Sequence, residues 1–341
     1  MKKTVLLIAT AIASVGLFVA CNKSVEGPSK RAVVTITVTG GDATKVTGIT
    51  SNDPTTEAKV NRLEVFVFNG TELDGHNVST TGATSIDVNC TSGTRDVYAI
   101  INGPDLSAET TKAAITSALV NLGATQNDFA MYSFTDGEGR VLADGTPLAL
   151  NVKRLAARVV IKGVKNDLIN PTDAAACTLD AIYLTNVAGN MKLGGGVADT
   201  EVFYNRQGYE SSNSLGANDY DAIGTAIAKD DTYGTAHYFY SLPNAYTPAV
   251  GGAWSPRRAK LVVKCTMAGD NIYYPITLPV LESNKSYEIN LLTLVHRGND
   301  DTTPDKEENP IDPSGSITLG INITVTNWDV VLLNGDGNIV L

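Results

Sequence analysis

The feature that most constrains this chain is a period-two alternation of apolar residues, cleanest near its two ends. Across Ala32–Thr39 (AVVTITVT), Val34, Ile36 and Val38 fall on one side of an extended strand, and Val33, Thr35, Thr37 and Thr39 on the other. Near the far end, Ile317, Leu319, Ile321, Ile323 and Val325 alternate with Thr318, Gly320, Asn322 and Thr324. β-Branched residues at this spacing suit a pleated, half-buried surface and not a helix. The chain between the two must therefore supply sheet partners, and it does. NRLEVFVFN (Asn61–Asn69) has Leu63, Val65 and Val67 on one face with Phe66 and Phe68 on the other, so it is expected deep in a sandwich. Further strands are predicted at Ser85–Asn89, Arg95–Asn102, Pro147–Val152, Cys177–Asn186, Ala236–Ser241, Ala259–Thr266, Ile272–Leu278 and Ser286–Leu294.

One helix is predicted, over Ser107–Leu122. Ala114, Ile115, Ala118, Leu119 and Leu122 form a stripe at helical spacing, Ser107 is placed to cap it, and Gly123 to end it. The fold class is thus all-β in the main. With 341 residues, 43% of them hydrophobic, the chain can bury a large core, and its length suggests two domains. The boundary is placed before NVKRLAARVVIKGV, giving units 21–150 and 151–341. In that stretch Leu155, Ala157, Val159 and Ile161 face one way, with Arg154, Arg158 and Lys162 opposite. Met191–Thr235, rich in Gly, Asn, Ser, Tyr and Asp, is expected to be a long loop open to variation or binding. Cys90, Cys177 and Cys265 are expected as buried thiols, with one disulfide and one free thiol as the alternative in an exported protein.

The first residues address the chain. Lys2 and Lys3 precede an apolar run ending Val19-Ala20-Cys21, the pattern of a secretory signal over 1–20 with a lipid-bearing cysteine at Cys21. The run is short for a stable span, so export with a lipid tether to the membrane is expected. A formal net charge of −10 argues against a nucleic-acid partner, which needs a basic face.

Chemistry is hard to find. His76, His237 and His296 are scattered and no H-E-x-x-H, G-x-S-x-G or phosphate-binding glycine loop occurs. No catalytic residue, metal ligand or cofactor is therefore assigned. What stands out instead is an order of parts: a strand, a polar loop Gly40–Lys59 carrying Lys45 and ending at Lys59, then the remaining strands. Scission in that loop would strip Val34, Ile36 and Val38 from the core and leave a trough with open ladder edges, a surface that invites strand addition. At the other end, the apolar tail 329–341 carries Val330, Val331, Leu332 and Leu333, a Gly/Asn turn, then Ile339, Val340 and Leu341. Termini are normally polar and frayed, so this segment needs something to bury it.

Taken together, the lipobox-like end, AVVTITVT, KVNRLEVFVFNG, TSGTRDVYAIING, KRLAARVVI, SYEINLL and ITVTNWDVVL resemble, in that order, the type V major fimbrillins of Bacteroidales. The resemblance spans nearly the whole chain. It implies two tandem transthyretin-like Greek-key β-sandwich domains, with the helix in the first. It also implies export as a palmitate-type lipoprotein of the outer membrane and trimming of the first strand by a trypsin-like protease. Head-to-tail polymerisation with other copies or related subunits into a surface fimbrium that supports adhesion would follow. Lys45 stands where relatives carry a cleaved basic residue, usually Arg, and Lys59 is the second candidate. The alternatives are a surface adhesin, or an anchor or tip subunit, binding glycan or a host or bacterial surface protein without polymerising. The Lys-for-Arg change keeps an anchor role open, whereas the apolar tail favours a polymerising subunit.

Overall fold

The computed structural model describes residues 30–39, 57, 59–122, 129–196, 202–205, 219–244, 258–299, 322–325, 329–333 and 337–341. The signal segment, Cys21, Lys45 and the alternating stretch from Ile317 to residue 321 lie outside them. The N-terminal part contains β1 (Arg31–Thr39), β2 (Leu63–Asn69), β3 (Glu72–Ser79), β4 (Ser85–Thr91) and β5 (Gly93–Ile101). After helix α1 (Lys112–Ser117) come β6 (Leu119–Asn121), β7 (Met131–Tyr132), β8 (Arg140–Leu142), β9 (Leu148–Asn151) and β10 (Lys153–Arg154). Two sheets face each other. One has the order β4-β1-β9, the other β10-β7-β5-β2-β3, with β8 paired to β5.

Alternation decides which side chains meet between these sheets. Val34, Ile36 and Val38 of β1 pack with Leu63, Val65 and Val67 of β2, Val88 of β4, and Val97, Ala99 and Ile101 of β5. The opposite faces of β2 and β5 are apolar as well. Phe66, Phe68, Tyr98 and Ile100 belong to a second hydrophobic cluster, which runs on through Ile115, Val120 and Phe129 into the C-terminal part. Leu63–Phe68 is buried on both faces, apolar at every position but Glu64, whose buried carboxylate is paired with Arg62 and His76. At Gly75 in β3, a Cβ would lie 2.5 Å from the Asn89 carbonyl oxygen, so glycine lets β3 cross close over β4.

The C-terminal part begins with β11 (Ala157–Ile161) and β12 (Val164–Asn166), followed by helix α2 (Pro171–Ala175). Then come β13 (Thr178–Thr185), β14 (Val187–Ala188), β15 (Asn190–Lys192), β16 (Phe203–Tyr204), β17 (Tyr220–Ala226), β18 (Thr232–Tyr233) and β19 (His237–Ser241). The last are β20 (Lys260–Met267), β21 (Asp270–Thr277), β22 (Lys285–Ile289), β23 (Leu291–Leu294), β24 (Asn322–Val325), β25 (Asp329–Leu332) and β26 (Asn338–Val340). The sheets run β19-β11-β22-β25-β24, β18-β12-β23-β26 and β17-β13-β20-β21. In both parts an early strand lies parallel to a late one: β1 on β9, and β11 and β12 on β22 and β23.

Four local expectations need correction. The helix expected over Ser107–Leu122 shrinks to α1, capped by Thr111 rather than Ser107. Thr116 and Ser117 turn their hydroxyls back onto Lys112 and Ala113 carbonyls, which weakens the helix at that point. The following residues find a better partner as β6, paired antiparallel with β15 and burying Val120. A second helix, α2, was not expected, although Asn170-Pro171 carries its signal: the Asn170 side chain accepts from the Thr172 and Asp173 amides and proline takes the first turn. Met191–Thr235, expected as loop, contains β16, β17 and β18 among its described residues. Strand β3 carries no strand signal in the sequence, because ELDGHNVS is that of a polar edge strand. Cys90, Cys177 and Cys265 are free and buried.

Candidate functional site: the first strand, the loop behind it and the tail

Strand β1 sits inside its sheet. It pairs antiparallel with β4 from Arg31↔Thr91 to Thr37↔Ser85, and parallel with β9 from Ile36↔Leu148 to Thr39↔Asn151. Where β9 has not yet begun, the Asp144 side chain accepts from the Val33 amide at 2.9 Å and the Gly145 amide donates to the Val33 carbonyl at 3.2 Å. Both edges of the strand are thus hydrogen-bonded. Its core face is closed off from solvent, with Val34 and Ile36 at 0% exposure and Val38 at 7%. Burying those three side chains stabilises the sheet by at most ~5–9 kcal/mol. The outer face is open: Val33 is 45% exposed, and the Thr35 hydroxyl donates to Asp87 at 2.6 Å.

Residues 40–56, Lys45 among them, lie outside the described residues. At Glu57 the chain is held by groups the sequence did not suggest. Glu57 is 3% exposed. Its carboxylate accepts from the Tyr240 hydroxyl at 2.5 Å and from Arg158 Nη1 at 3.1 Å, and its carbonyl accepts from Arg154 Nε at 3.1 Å. Arg158 is shared: Nε donates to the Ser286 hydroxyl at 2.9 Å, and Nη2 lies 3.5 Å from Glu288 Oε1. Lys162 closes the chain of charges on Glu288 at 2.8 Å. Burial pushes Arg154 down from its ordinary value, with the Glu57 charge opposing. Two residues on, Lys59 is exposed, but its carbonyl accepts from Asn102 Nδ2 at 2.7 Å. Asn102, at φ +51°, also accepts from the Asn61 and Arg62 amides through Oδ1.

The tail lies on its own chain. Val330, Val331 and Leu332 pair in parallel register with Ser286, Tyr287 and Glu288, and β24 covers the other side of β25. The Leu333 amide donates to the Glu288 carbonyl at 2.9 Å and its side chain is fully buried. Gly337, at φ +78°, turns the chain beside Asn290, where a Cβ would lie 2.6 Å from Nδ2. Strand β26 then follows β23, with Ile339 buried, Val340 66% exposed and Leu341 half-buried. The Leu341 amide donates to Thr293 at 2.8 Å. The two apolar clusters of the tail thus form two short parallel pairings, of four and three residue pairs, against seven and four for β1.

Groups with chemical potential elsewhere are tied up structurally. His237 lies between Asp221 at 2.7 Å and Tyr233 at 2.9 Å, and His76 contacts Glu64 at 2.9 Å. Among the described residues no cluster of three His, Cys, Asp or Glu is placed to hold a metal ion. No helix among them is long and apolar enough to cross a membrane. A cavity of about 310 Å³ opens beside β14 and β16, lined by Met191, Phe203, Pro243 and Leu281.

Comparison with known proteins completes the picture. Residues 32–150 match the family of the major fimbrial subunit protein (FimA). The fold is similar to fimbrilin (FimA) from Porphyromonas gingivalis W83, with 16% identity, TM-score 0.53, and coverage of 82% of this chain and 94% of that one. It is also similar to a candidate cell adhesion protein from Bacteroides eggerthii, with 17% identity, TM-score 0.55, and coverage of 92% and 99%. A candidate cell adhesion protein from Parabacteroides distasonis gives 17%, 0.53, and 87% and 96%. No curated protein matches the sequence.

Proposed function

We propose that this chain, a FimA-like fimbrillin by the family match of residues 32–150 and by its fold, is a structural subunit of a surface fimbrium that supports adhesion. It is exported as a lipoprotein carried on Cys21 in the outer membrane. A trypsin-like protease trims it in the loop after β1, at Lys45 or, failing that, Lys59. The tail of a neighbouring copy, Val330–Leu341, then takes the place of β1. The observation that carries this reading is that β1, the first described strand of the chain, lies in the interior of its sheet between β4 and β9. Its loss exposes β4 and β9 together with an apolar trough, which a second chain's strand is suited to fill. A contact of this kind is head-to-tail, does not close on itself, and propagates.

In a strain deleted for the chain, appendages visible by electron microscopy should be restored by the full sequence and not by one ending at Asp329. Appendages restored equally by both would remove the tail from the scheme. A subunit that keeps β1, as an anchor would, yields no filament of its own in either case.

A further inference from the structure

We infer that Glu57 is a latch that holds the chain around Lys59 in the fold, so that the Lys59–Val60 bond is spared when the segment after β1 is cut. The inference rests on the reading that this segment is processed, and it deepens that reading by naming what selects the bond. Lys45 and Lys59 are both basic, and Lys45 is the one Lys or Arg between Thr39 and Glu57. Charge alone therefore does not choose between them.

Accessibility does. A protease needs several residues around the scissile bond freed from the fold, so cutting tracks the cost of local opening. At Lys59 that opening must release both flanks. Upstream, Glu57 would have to leave Tyr240, Arg158 and Arg154. Its departure would take one carboxylate from the buried Arg158, leaving it Ser286 and Glu288, and an acceptor from the Tyr240 hydroxyl, and losing one partner of a buried charge pair is unfavourable. Downstream, the Asn102 side chain would have to give up the Lys59 carbonyl and the Asn61 and Arg62 amides. The same latch keeps the start of β2 seated once β1 has gone, so the floor of the trough formed by Leu63, Val65 and Val67 stays in place.

The test is a trypsin time course on the full chain, with fragments identified by intact mass. For the natural sequence the expected products end at Lys45, with none ending at Lys59. In Glu57→Ala, cutting after Lys59 should accelerate roughly tenfold or more, while cutting after Lys45 and after Lys112, on α1, keeps its rate. General unfolding would raise all three. Tyr240→Phe, which removes one hydroxyl and keeps the ring, should give a smaller rise at Lys59 alone and serves if Glu57→Ala does not fold. Cleavage after Lys59 as fast as after Lys45 in the natural chain, or no change at Lys59 in either variant, overturns the latch. The fragment map does not depend on polymerisation, so trimmed protein that stays monomeric would count against the fimbrial reading and leave the latch standing.

Discussion

Asp74 shows how much one side chain can hold. Its Oδ2 accepts from the Thr91 amide, the Thr91 hydroxyl and Arg95 Nε, at 2.9, 2.7 and 2.9 Å. Burial pushes the carboxyl up, but the bonds from Thr91 and Arg95 outweigh it and leave the group below its ordinary value. A carboxyl with a depressed folded pKa adds stability that is present above the unfolded value, near 4, and is lost as pH falls through the folded one. Thermal melts taken from neutral pH downward should therefore show an acid-side loss that Asp74→Asn flattens, with the variant already less stable at neutrality by about 1–3 kcal/mol. An unchanged acid slope would mean that Asp74 carries none of it. Cys21 is testable on its sequence context alone: Cys21→Ala should accumulate as unprocessed precursor that does not partition into membranes. Normal processing of that variant would remove the lipid. Not every residue was legible in advance. Arg154 and Arg158 fall opposite the apolar residues of one alternating run, which in sequence reads as a solvated face, whereas they lie buried on separate strands, β10 and β11. Their partner Glu57 lies 97 and 101 positions away, and no local pattern connects them.

At the scale of elements, alternation was a good guide wherever a strand is half-buried. The burial of Val34, Ile36 and Val38 follows directly from period two, and the two-faced burial of β2 from apolar residues on both of its faces. It failed where tertiary pairing overrode local preference. The stripe at Ala118, Leu119 and Leu122 looks helical, yet β15 offers a strand partner and Leu119 ends 46% exposed. Polar edge strands such as β3 leave no apolar signature at all. The two elements central to the account differ in how firmly they are held, and this has a consequence. Ile36→Ala in the untrimmed protein should cost about 2–5 kcal/mol, because the side chain is fully buried in a strand paired on both edges. Ile339→Ala should cost less, since β26 is a three-residue edge strand that opens locally before the whole molecule does. Urea titrations of the two variants compare them. A larger loss at Ile339 would mean that the tail is as integral as β1 and poorly suited to leave.

At the scale of the molecule, two hydrophobic clusters divide the work. One lies between the sheets that contain β1, and the other joins the outer faces of β2 and β5 to the C-terminal part. Removing β1 therefore opens the first cluster without touching the second, and the trimmed chain retains most of its core. The division proposed from the sequence, at residue 150, falls at the end of β9, and β10 already belongs to the sheet of β2 and β5. The central claim is that a trimmed molecule accepts the tail of another. Light scattering on protein cut after Lys45 and cleared of the released strand measures this directly, with the chain ending at Asp329, cut in the same way, as control. The account predicts high-mass, linearly growing species from the full-length form and monomers from the control. Monomers from both, after confirmed loss of β1, or polymers from both, would contradict it.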